Sequence, residues 1–413
     1  MRLALLLCLM GGFVLAADDT ELRAAFEAHH WFDLRDAVSE KSAPFYRVVV
    51  AAAFNDIRGA EKAMSALQRS GANKDQLTVA EDAMSHLYRR NGFYRRAAAE
   101  VRKFAGPPAP GESNADWGDL ETIEKLPDIA VASRRSGTVA YSRRPHDPYL
   151  VVPLNINGQP AEYVLDTGAS ISLVTESEAK RLGLTILAGT PTFDGITGGR
   201  VAQGRYAYAA RLKIANTELR DVAFLVVADN TIDFFETLPQ YQRGAIGMPI
   251  LLAIGSVRWN RNGGMMFGFA TGHQNHRGQS RDANIAFDGM VPVTYWEIAK
   301  HRLAVELDSG SDRSFVWPRY VIDFPELIPD VPQRKTSLNG ATGSNEVRSL
   351  TLPELRFTAG GLEIVFANAP ALLQSTIPAS SWLYGLLGKD QLDKAQEVSL
   401  DFRAMKLTLK STY

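Results

Sequence analysis

Two short tripeptides, Asp166-Thr167-Gly168 and Asp308-Ser309-Gly310, decide how the rest of this 413-residue chain is interpreted. Each one ends an apolar run that is typical of a strand, Tyr163-Val164-Leu165 in the first case and Leu303-Ala304-Val305-Glu306-Leu307 in the second. A single D-[ST]-G tripeptide has little specificity. Two of them in one chain call for a search for duplication, because internal repeats should be sought before any single motif is trusted.

Two further landmarks follow each tripeptide in the same order. The turn DGITGG at 194–199 has its Thr 31 positions after Asp166 (197 − 166), and NGATG at 339–343 has its Thr 34 positions after Asp308 (342 − 308). The segments GAIGMPIL and GLLGKDQL then begin 78 (244 − 166) and 77 (385 − 308) positions after their Asp. This matched spacing predicts a duplicated lobe that brings two carboxylates together.

Paired carboxylates have a chemistry of their own. Two carboxylates a few ångströms apart cannot both ionise cheaply, so the pair shares one proton over a wide pH range. The ionised member can take a proton from a water held between them, while the protonated member donates a hydrogen bond to a substrate carbonyl. Protons leave such a pair in macroscopic steps, so we predict Asp166 and Asp308 as catalytic residues without a fixed role for either.

With these motifs the chain resembles the retropepsin-like aspartic proteases, in a single-chain form with two lobes. The resemblance covers roughly residues 147–413 and rests on the D-[ST]-G tripeptides, the T-G turns and the later G-x-[IL]-G-x-x-x-L segments. It implies a closed β-rich lobe that is used twice about a pseudo-two-fold axis. It also implies hydrolysis of peptide bonds in substrates that bind in an extended conformation.

The resemblance implies roles for residues near the two carboxylates. Thr167 and Ser309 would reach across to the opposite lobe and brace the two loops, since buried hydroxyls need partners. Gly168 and Gly310 would leave room for a tight turn and for backbone N–H groups that point at the carboxylates. The two T-G turns resemble flap tips that close over substrate, and an ordinary surface hairpin is the alternative for each. The candidate flap residues are Thr197, Gly198, Gly199, Ala341, Thr342 and Gly343.

Composition and motifs leave other function classes without support. The 45 basic and 46 acidic residues give a net charge of −1, so there is no electrostatic argument for nucleic acid. The sequence has no G-x-S-x-G, H-E-x-x-H, P-loop or dinucleotide fingerprint. An H-x-x-H at His273 and His276 lacks further ligands, so we predict no metal and no other cofactor.

The first 16 residues are typical of a signal peptide. Met1-Arg2 supplies a positive start, residues 3–15 are apolar, and Val14-Leu15-Ala16 fits a signal peptidase site. The apolar run is too short to span a bilayer as a stable helix. The only cysteine, Cys8, lies inside it, so disulfides and thiol chemistry are not expected in the mature chain. We expect export to the periplasm or secretion, and no transmembrane segment in the mature chain.

Residues 17–105 are predicted to be helical. Ala, Leu, Arg and Glu dominate, and apolar residues recur at helical spacing, as in Ala60, Ala63, Met64 and Leu67. Turn-like segments at 55–59 and 91–95 lie 36 residues apart (91 − 55), which resembles tetratricopeptide-type repeats. A generic helical bundle is the alternative. Such a domain would bind a protein partner, present substrates or cover the cleft.

The predicted organisation is multidomain: an N-terminal all-α, tetratricopeptide-like domain followed by an all-β, double-lobed aspartic protease fold. Pro and Gly at 105–111 begin a linker, and the polar stretch at 271–284 separates the lobes. The predicted boundaries are 1–16 for the signal peptide, 17–105 for the helical domain, 106–146 for the linker, 147–270 for the first lobe, 271–284 for the inter-lobe linker and 285–413 for the second lobe.

We therefore expect an aspartic endopeptidase that acts on polypeptides, with a preference for extended and largely apolar segments. One alternative is a non-catalytic scaffold on the same fold that binds peptides and recruits partners through its helical repeats. The presence of both Asp residues and both hydroxyl neighbours argues against it. A second alternative is coincidence, with the tripeptides in turns of an unrelated β protein, and the matched offsets argue against that.

Overall fold

The computed structural model describes residues 19–105, 122–141, 149–189, 192–194, 201–269, 280–340, 343–374 and 382–411. The described chain is helical up to Ala105 and β-rich from Ala130 onward. Within the described ranges, no helix is long and apolar enough to cross a membrane. The predicted signal peptide at 1–16, the His273 and His276 pair, and much of both predicted linkers lie outside the described residues.

The N-terminal region contains six helices in the part that the structure describes. Capping side chains fix two of their starts: Asp56 accepts a hydrogen bond from the Gly59 N–H at 3.0 Å, and Asn73 accepts one from the Gln76 N–H at 2.9 Å. The two turn-like segments face one another, because the Asn91 amide donates to the Asn55 side-chain oxygen at 2.7 Å. The predicted helical region is confirmed. Its helices are α1 Asp19–Glu27, α2 Trp31–Ala37, α3 Pro44–Ala53, α4 Ile57–Arg69, α5 Lys74–Arg90 and α6 Tyr94–Ala105.

The rest of the described chain is built mainly from strands, with a few short helices between them. The strands are β1 Ala130–Ser133, β2 Gly137–Ala140, β3 Val151–Ile156, β4 Gln159–Leu165, β5 Ser172–Thr175, β6 Thr185–Ile186, β7 Thr192–Asp194, β8 Val201–Ile214, β9 Thr217–Val227, β10 Gly244–Ile246, β11 Ser256–Asn260, β12 Gly264–Phe267, β13 Ala286–Asp288, β14 Val291–Ile298, β15 His301–Leu307, β16 Phe315–Val316, β17 Arg334–Gly340, β18 Gly343–Ala359, β19 Leu362–Leu372, β20 Gly385–Leu387, β21 Glu397–Asp401 and β22 Lys406–Lys410. The short helices are α7 Glu176–Arg181, α8 Asp233–Glu236, α9 Met248–Ile254, α10 Pro318–Asp323 and α11 Lys389–Leu392, with 3₁₀ turns at Gln240–Gln242 and Pro325–Leu327.

Two large sheets share one local topology. The first has the order β1-β9-β5-β10-β4-β3-β8-β6, and the second has the order β13-β14-β15-β20-β16-β19-β18-β17. In the first, β4 pairs in parallel with β10, which pairs antiparallel with β5. In the second, β15 pairs in parallel with β20, which pairs antiparallel with β16. The strand that precedes each D-[ST]-G tripeptide therefore occupies the same place in its own sheet.

A third sheet joins strands from both halves of the β-rich region. Its order is β2-β12-β11-β21-β22, and β11 pairs with β21 over five residues from Ser256↔Asp401 to Asn260↔Glu397. The apolar side chain of Trp259 in this sheet is buried. Burial of such aromatic surface stabilises the junction between the two halves.

The helical region packs directly against the second sheet. Arg90 is 1% exposed, donates a hydrogen bond to the Gly289 carbonyl at 2.9 Å and lies 4.4 Å from the centre of the Phe287 ring. Arg302 on β15 pairs with Asp36 on α2 at 2.8 Å. The helices are thus docked on the β-rich region through buried polar and ring contacts as well as through the connecting chain.

Candidate active site

Asp166 and Asp308 each stand directly after a buried strand, at equivalent places in the two large sheets. The backbone N–H of Asp166 donates to the carbonyl of Ile246, the last residue of β10, at 3.1 Å. The N–H of Asp308 donates to the carbonyl of Leu387, the last residue of β20, also at 3.1 Å. Each sheet therefore holds its own Asp in place through an equivalent pair of parallel strands, β4 with β10 in the first sheet and β15 with β20 in the second.

The structure brings the two carboxyl groups together. The side chains of Asp166 and Asp308 are within hydrogen-bonding reach of one another. Gly168 and Gly310 make this approach possible. A Cβ atom on Gly168 would lie 2.7 Å from the Asp308 carboxyl carbon, and one on Gly310 would overlap the Asp166 carboxyl. Each tripeptide thus ends in the residue that leaves space for the opposite carboxyl group.

Thr167 and Ser309 cross between the two loops. The Thr167 hydroxyl donates to the Leu307 carbonyl at 2.7 Å and accepts a hydrogen bond from the Ser309 N–H at 2.9 Å. The Ser309 hydroxyl donates to the Leu165 carbonyl at 2.8 Å and accepts one from the Thr167 N–H at 3.1 Å. Both side chains are fully buried, so these four hydrogen bonds are shielded from water.

The electrostatics of the site follow from burial and from the closeness of like charges. Burial first, and then the negative charge of Asp308, raises the pKa of Asp166 to about 8. Burial also raises the pKa of Asp308, although the N–H groups of Gly310 and Ser311 donate to its Oδ1 at 2.8 and 3.2 Å and oppose that rise. The pair therefore holds a shared proton well above the usual titration range of a carboxyl group.

Two serines that the sequence analysis did not single out connect the loops after Asp166 and Asp308 to the glycines that follow β10 and β20. The Ser172 hydroxyl accepts a hydrogen bond from the Gly247 N–H at 3.0 Å, and the Ser314 hydroxyl accepts one from the Gly388 N–H at 2.8 Å. Both serines are buried. The sequence carried a signal for them, because each lies six residues after its Asp (172 − 166 and 314 − 308).

A third carboxyl group, that of Glu306, also belongs to this site. Glu306 lies within the β15 run that the sequence analysis treated as apolar, and its side chain is only 7% exposed. Burial, then the charge of Asp308 and then that of Asp166, raises its pKa to about 8. A comparison of the two runs before the tripeptides would have shown Glu306 in line with the apolar Val164, two residues before each Asp.

The candidate flap residues lie almost entirely outside the described part of the chain. Thr197, Gly198 and Gly199, together with Ala341 and Thr342, are not described, whereas Gly343 begins β18 and pairs with Gly340 of β17. The strands that flank the first turn also pair with each other, Asp194 with Val201. Both turns therefore connect neighbouring antiparallel strands. In the described ranges, no group of His, Cys, Asp and Glu is arranged to hold a metal ion.

Comparison with known proteins agrees with this geometry. Residues 152–250, which span β3 to β10 and include the first tripeptide, match the family model described as aspartyl protease. This part of the chain is similar to the aspartyl protease family. The predicted resemblance to aspartic proteases is thereby confirmed over these residues. No curated protein matches the chain.

Several solved structures are similar to the chain at low sequence identity. A retropepsin-like aspartic protease from Rickettsia conorii is 17% identical, with a TM-score of 0.23, over 33% of this chain and 93% of that one. Basic 7S globulin from soybean and conglutin gamma from lupine seeds are each 10% identical, with a TM-score of 0.39, over 68% of this chain and 96% of theirs.

Proposed function

We propose that the protein is an aspartic endopeptidase in which Asp166 and Asp308 form one catalytic dyad between two β-rich lobes of a single chain. The observation that carries this proposal is the approach of the two carboxyl groups, braced by the crossed hydroxyls of Thr167 and Ser309. The match of residues 152–250 to the aspartyl protease family model supports this class of reaction.

The geometry suggests the following reaction. A water molecule between the two carboxyl groups gives a proton to the ionised carboxylate as its oxygen adds to the scissile carbonyl carbon. The protonated carboxyl donates its proton to the carbonyl oxygen. The tetrahedral diol then collapses as its C–N bond breaks. The amide nitrogen takes the proton of the protonated carboxyl and leaves as an amine, and one hydroxyl of the diol returns a proton to the ionised carboxyl, which restores the dyad. The shared proton is assigned to the pair, since the two groups titrate together.

The turns that contain Thr197 and Thr342 would act as flaps over the dyad, because Gly-rich hairpins suit closure over an extended peptide.

The helices would form tetratricopeptide-like pairs, which the mutual hydrogen bonds of Asn55 and Asn91 support. A surface of these helices would bind a partner. Residues 1–16 would direct the protein to export, so that it acts in the periplasm or outside the cell.

The test is cleavage of an unstructured protein substrate from acid to neutral pH. The wild type is compared with Asp166→Asn, Asp308→Asn and a matched control, Asp312→Asn, whose side chain is exposed on the same loop as Asp308. We expect the wild type and the control to cut, and each dyad variant to lose activity. Full activity in Asp308→Asn would refute the single-chain dyad, and peptide binding without cleavage by the wild type would favour the scaffold alternative.

A further inference from the structure

Glu306 is a buried carboxyl group that the proposed reaction does not use. It lies on β15 and precedes Asp308, the first residue after that strand, by two residues. The N–H of Asp308 still donates to the Leu387 carbonyl of β20, so the alternation of side chains between the two faces of the sheet continues to Asp308. Glu306 therefore faces the same side as the catalytic carboxyl. It is 7% exposed, and its Oε2 atom has no hydrogen-bond partner among the residues that the structure describes.

The first sheet has an apolar side chain at the same place. Glu306 pairs with Val293 on β14 and Leu386 on β20, and Val164 pairs with Val151 on β3 and Ala245 on β10. The register of the paired strands thus makes Val164 the counterpart of Glu306, and Val164 is also buried, at 6% exposed. The dyad is therefore flanked by a carboxyl group on one side and by an isopropyl group on the other.

The charged groups that act on Glu306 in the described part of the chain are both acidic. They are Asp308 and Asp166. A buried carboxyl oxygen without a hydrogen-bond partner is costly, and such groups usually have a functional explanation. A cation that enters the cleft would lower the raised pKa of Glu306 and favour its ionised form. The cation would then meet the Glu306 carboxylate together with the negative charge of the dyad, which is the arrangement that electrostatic complementarity favours.

We propose that Glu306 is a specificity-determining residue that binds the ammonium or guanidinium group of a Lys or Arg side chain next to the scissile bond. This inference rests on the proposed peptidase function. The expected preference for largely apolar segments would then hold on one side of the bond only, where Val164 contacts an apolar substrate side chain. Glu306 then contacts a basic side chain on the other side.

The test uses pairs of peptides that differ at one residue beside the scissile bond, Lys in one and Met in the other. Met has a similar length and no charge, so the ratio of the two kcat/KM values isolates the charge. Loss of one partner of a buried charge pair typically costs about 2 kcal/mol or more, which corresponds to roughly 30-fold. We expect Glu306→Gln to lower the Lys-to-Met ratio by at least about 30-fold, and Asp312→Asn to leave it unchanged.

An exchange of the two side chains gives a second test. In the double variant Val164→Glu with Glu306→Val, the preferred basic residue should move to the other side of the scissile bond, as read from cleavage products by mass spectrometry. Thermal unfolding and binding of a statine-type inhibitor establish that each variant is folded.

Three results would overturn the inference in different ways. A wild type that cuts with no preference for Lys or Arg would overturn this inference and leave the proposed function standing. A preference that survives both Glu306→Gln and the exchange would do the same. A wild type that cuts no peptide would remove the proposed function and this inference with it.

Discussion

The crossed hydroxyl groups of Thr167 and Ser309 predict that Thr167→Val loses both stability and activity. Valine keeps the shape of threonine but removes the hydroxyl that donates to the Leu307 carbonyl and accepts from the Ser309 N–H. Both partners are buried in the junction between the loops, and a buried polar group left unsatisfied costs about 1–3 kcal/mol. Two such groups give an expected loss of roughly 2–6 kcal/mol in the free energy of unfolding.

The assay combines urea unfolding with peptide cleavage. We expect kcat to fall by about 10- to 100-fold in Thr167→Val, because a small misplacement of reacting groups is enough for such a loss. Thr167→Ser should behave like the wild type, since serine keeps the hydroxyl and is the residue at the equivalent position 309.

A buried threonine away from the dyad provides the matched control. Thr294 is fully buried and donates one hydrogen bond to the Asn284 carbonyl at 2.8 Å. Thr294→Val should cost stability and leave kcat unchanged. If Thr167→Val lost no more stability than Thr294→Val and kept its kcat, the crossed hydroxyls would not be what aligns the two loops.

Three other predictions follow from the same contacts. Because the folded-state pKa of Asp166 is raised from near 4 to about 8, ionisation of Asp166 opposes folding. The free energy of unfolding should therefore fall as the pH rises from about 4 to about 8, and it should fall less steeply in Asp166→Asn. The value of kcat/KM should also decline above about pH 8, because the dyad then loses its shared proton. Gly168→Ala and Gly310→Ala should each lose more than about 100-fold in kcat and bind a statine-type inhibitor weakly, because the new methyl group meets the opposite carboxyl; normal inhibitor binding would contradict this. Arg90→Met should lower the free energy of unfolding by roughly 2–6 kcal/mol, because the Gly289 carbonyl and the Asn55 side-chain oxygen each lose a hydrogen-bond donor. It should also expose the helical region to limited proteolysis, whereas the exposed Arg58→Met should do neither.

The elements around the first tripeptide could be predicted because their signals are local. Asn157 and Gly158 both have positive φ, 51° and 87°, as the hairpin signal between β3 and β4 requires. The apolar alternation of those strands then leads directly to Asp166. The matched spacing of the later landmarks located Asp308 by the same reasoning, without any knowledge of how the sheets pack.

The remaining features depend on contacts between distant parts of the chain. In the sequence, Glu306 is a single polar residue in an apolar run. Only the register of the paired strands shows that it occupies the position in the second sheet that Val164 occupies in the first. The pairing of β11 with β21 joins residues about 140 positions apart, for which no local pattern exists. Arg90 likewise reads as a helix-terminal basic residue, although the structure buries it against Phe287 and Gly289.

The central claim is that one chain supplies both halves of one catalytic site. The most direct measurement is calorimetric titration of the wild type with a statine-type transition-state mimic, with the molecular mass determined in the same buffer. We predict one inhibitor bound per chain at the mass of a monomer, and much weaker binding by Asp308→Asn. One inhibitor for every two chains, with undiminished binding by Asp308→Asn, would contradict the claim.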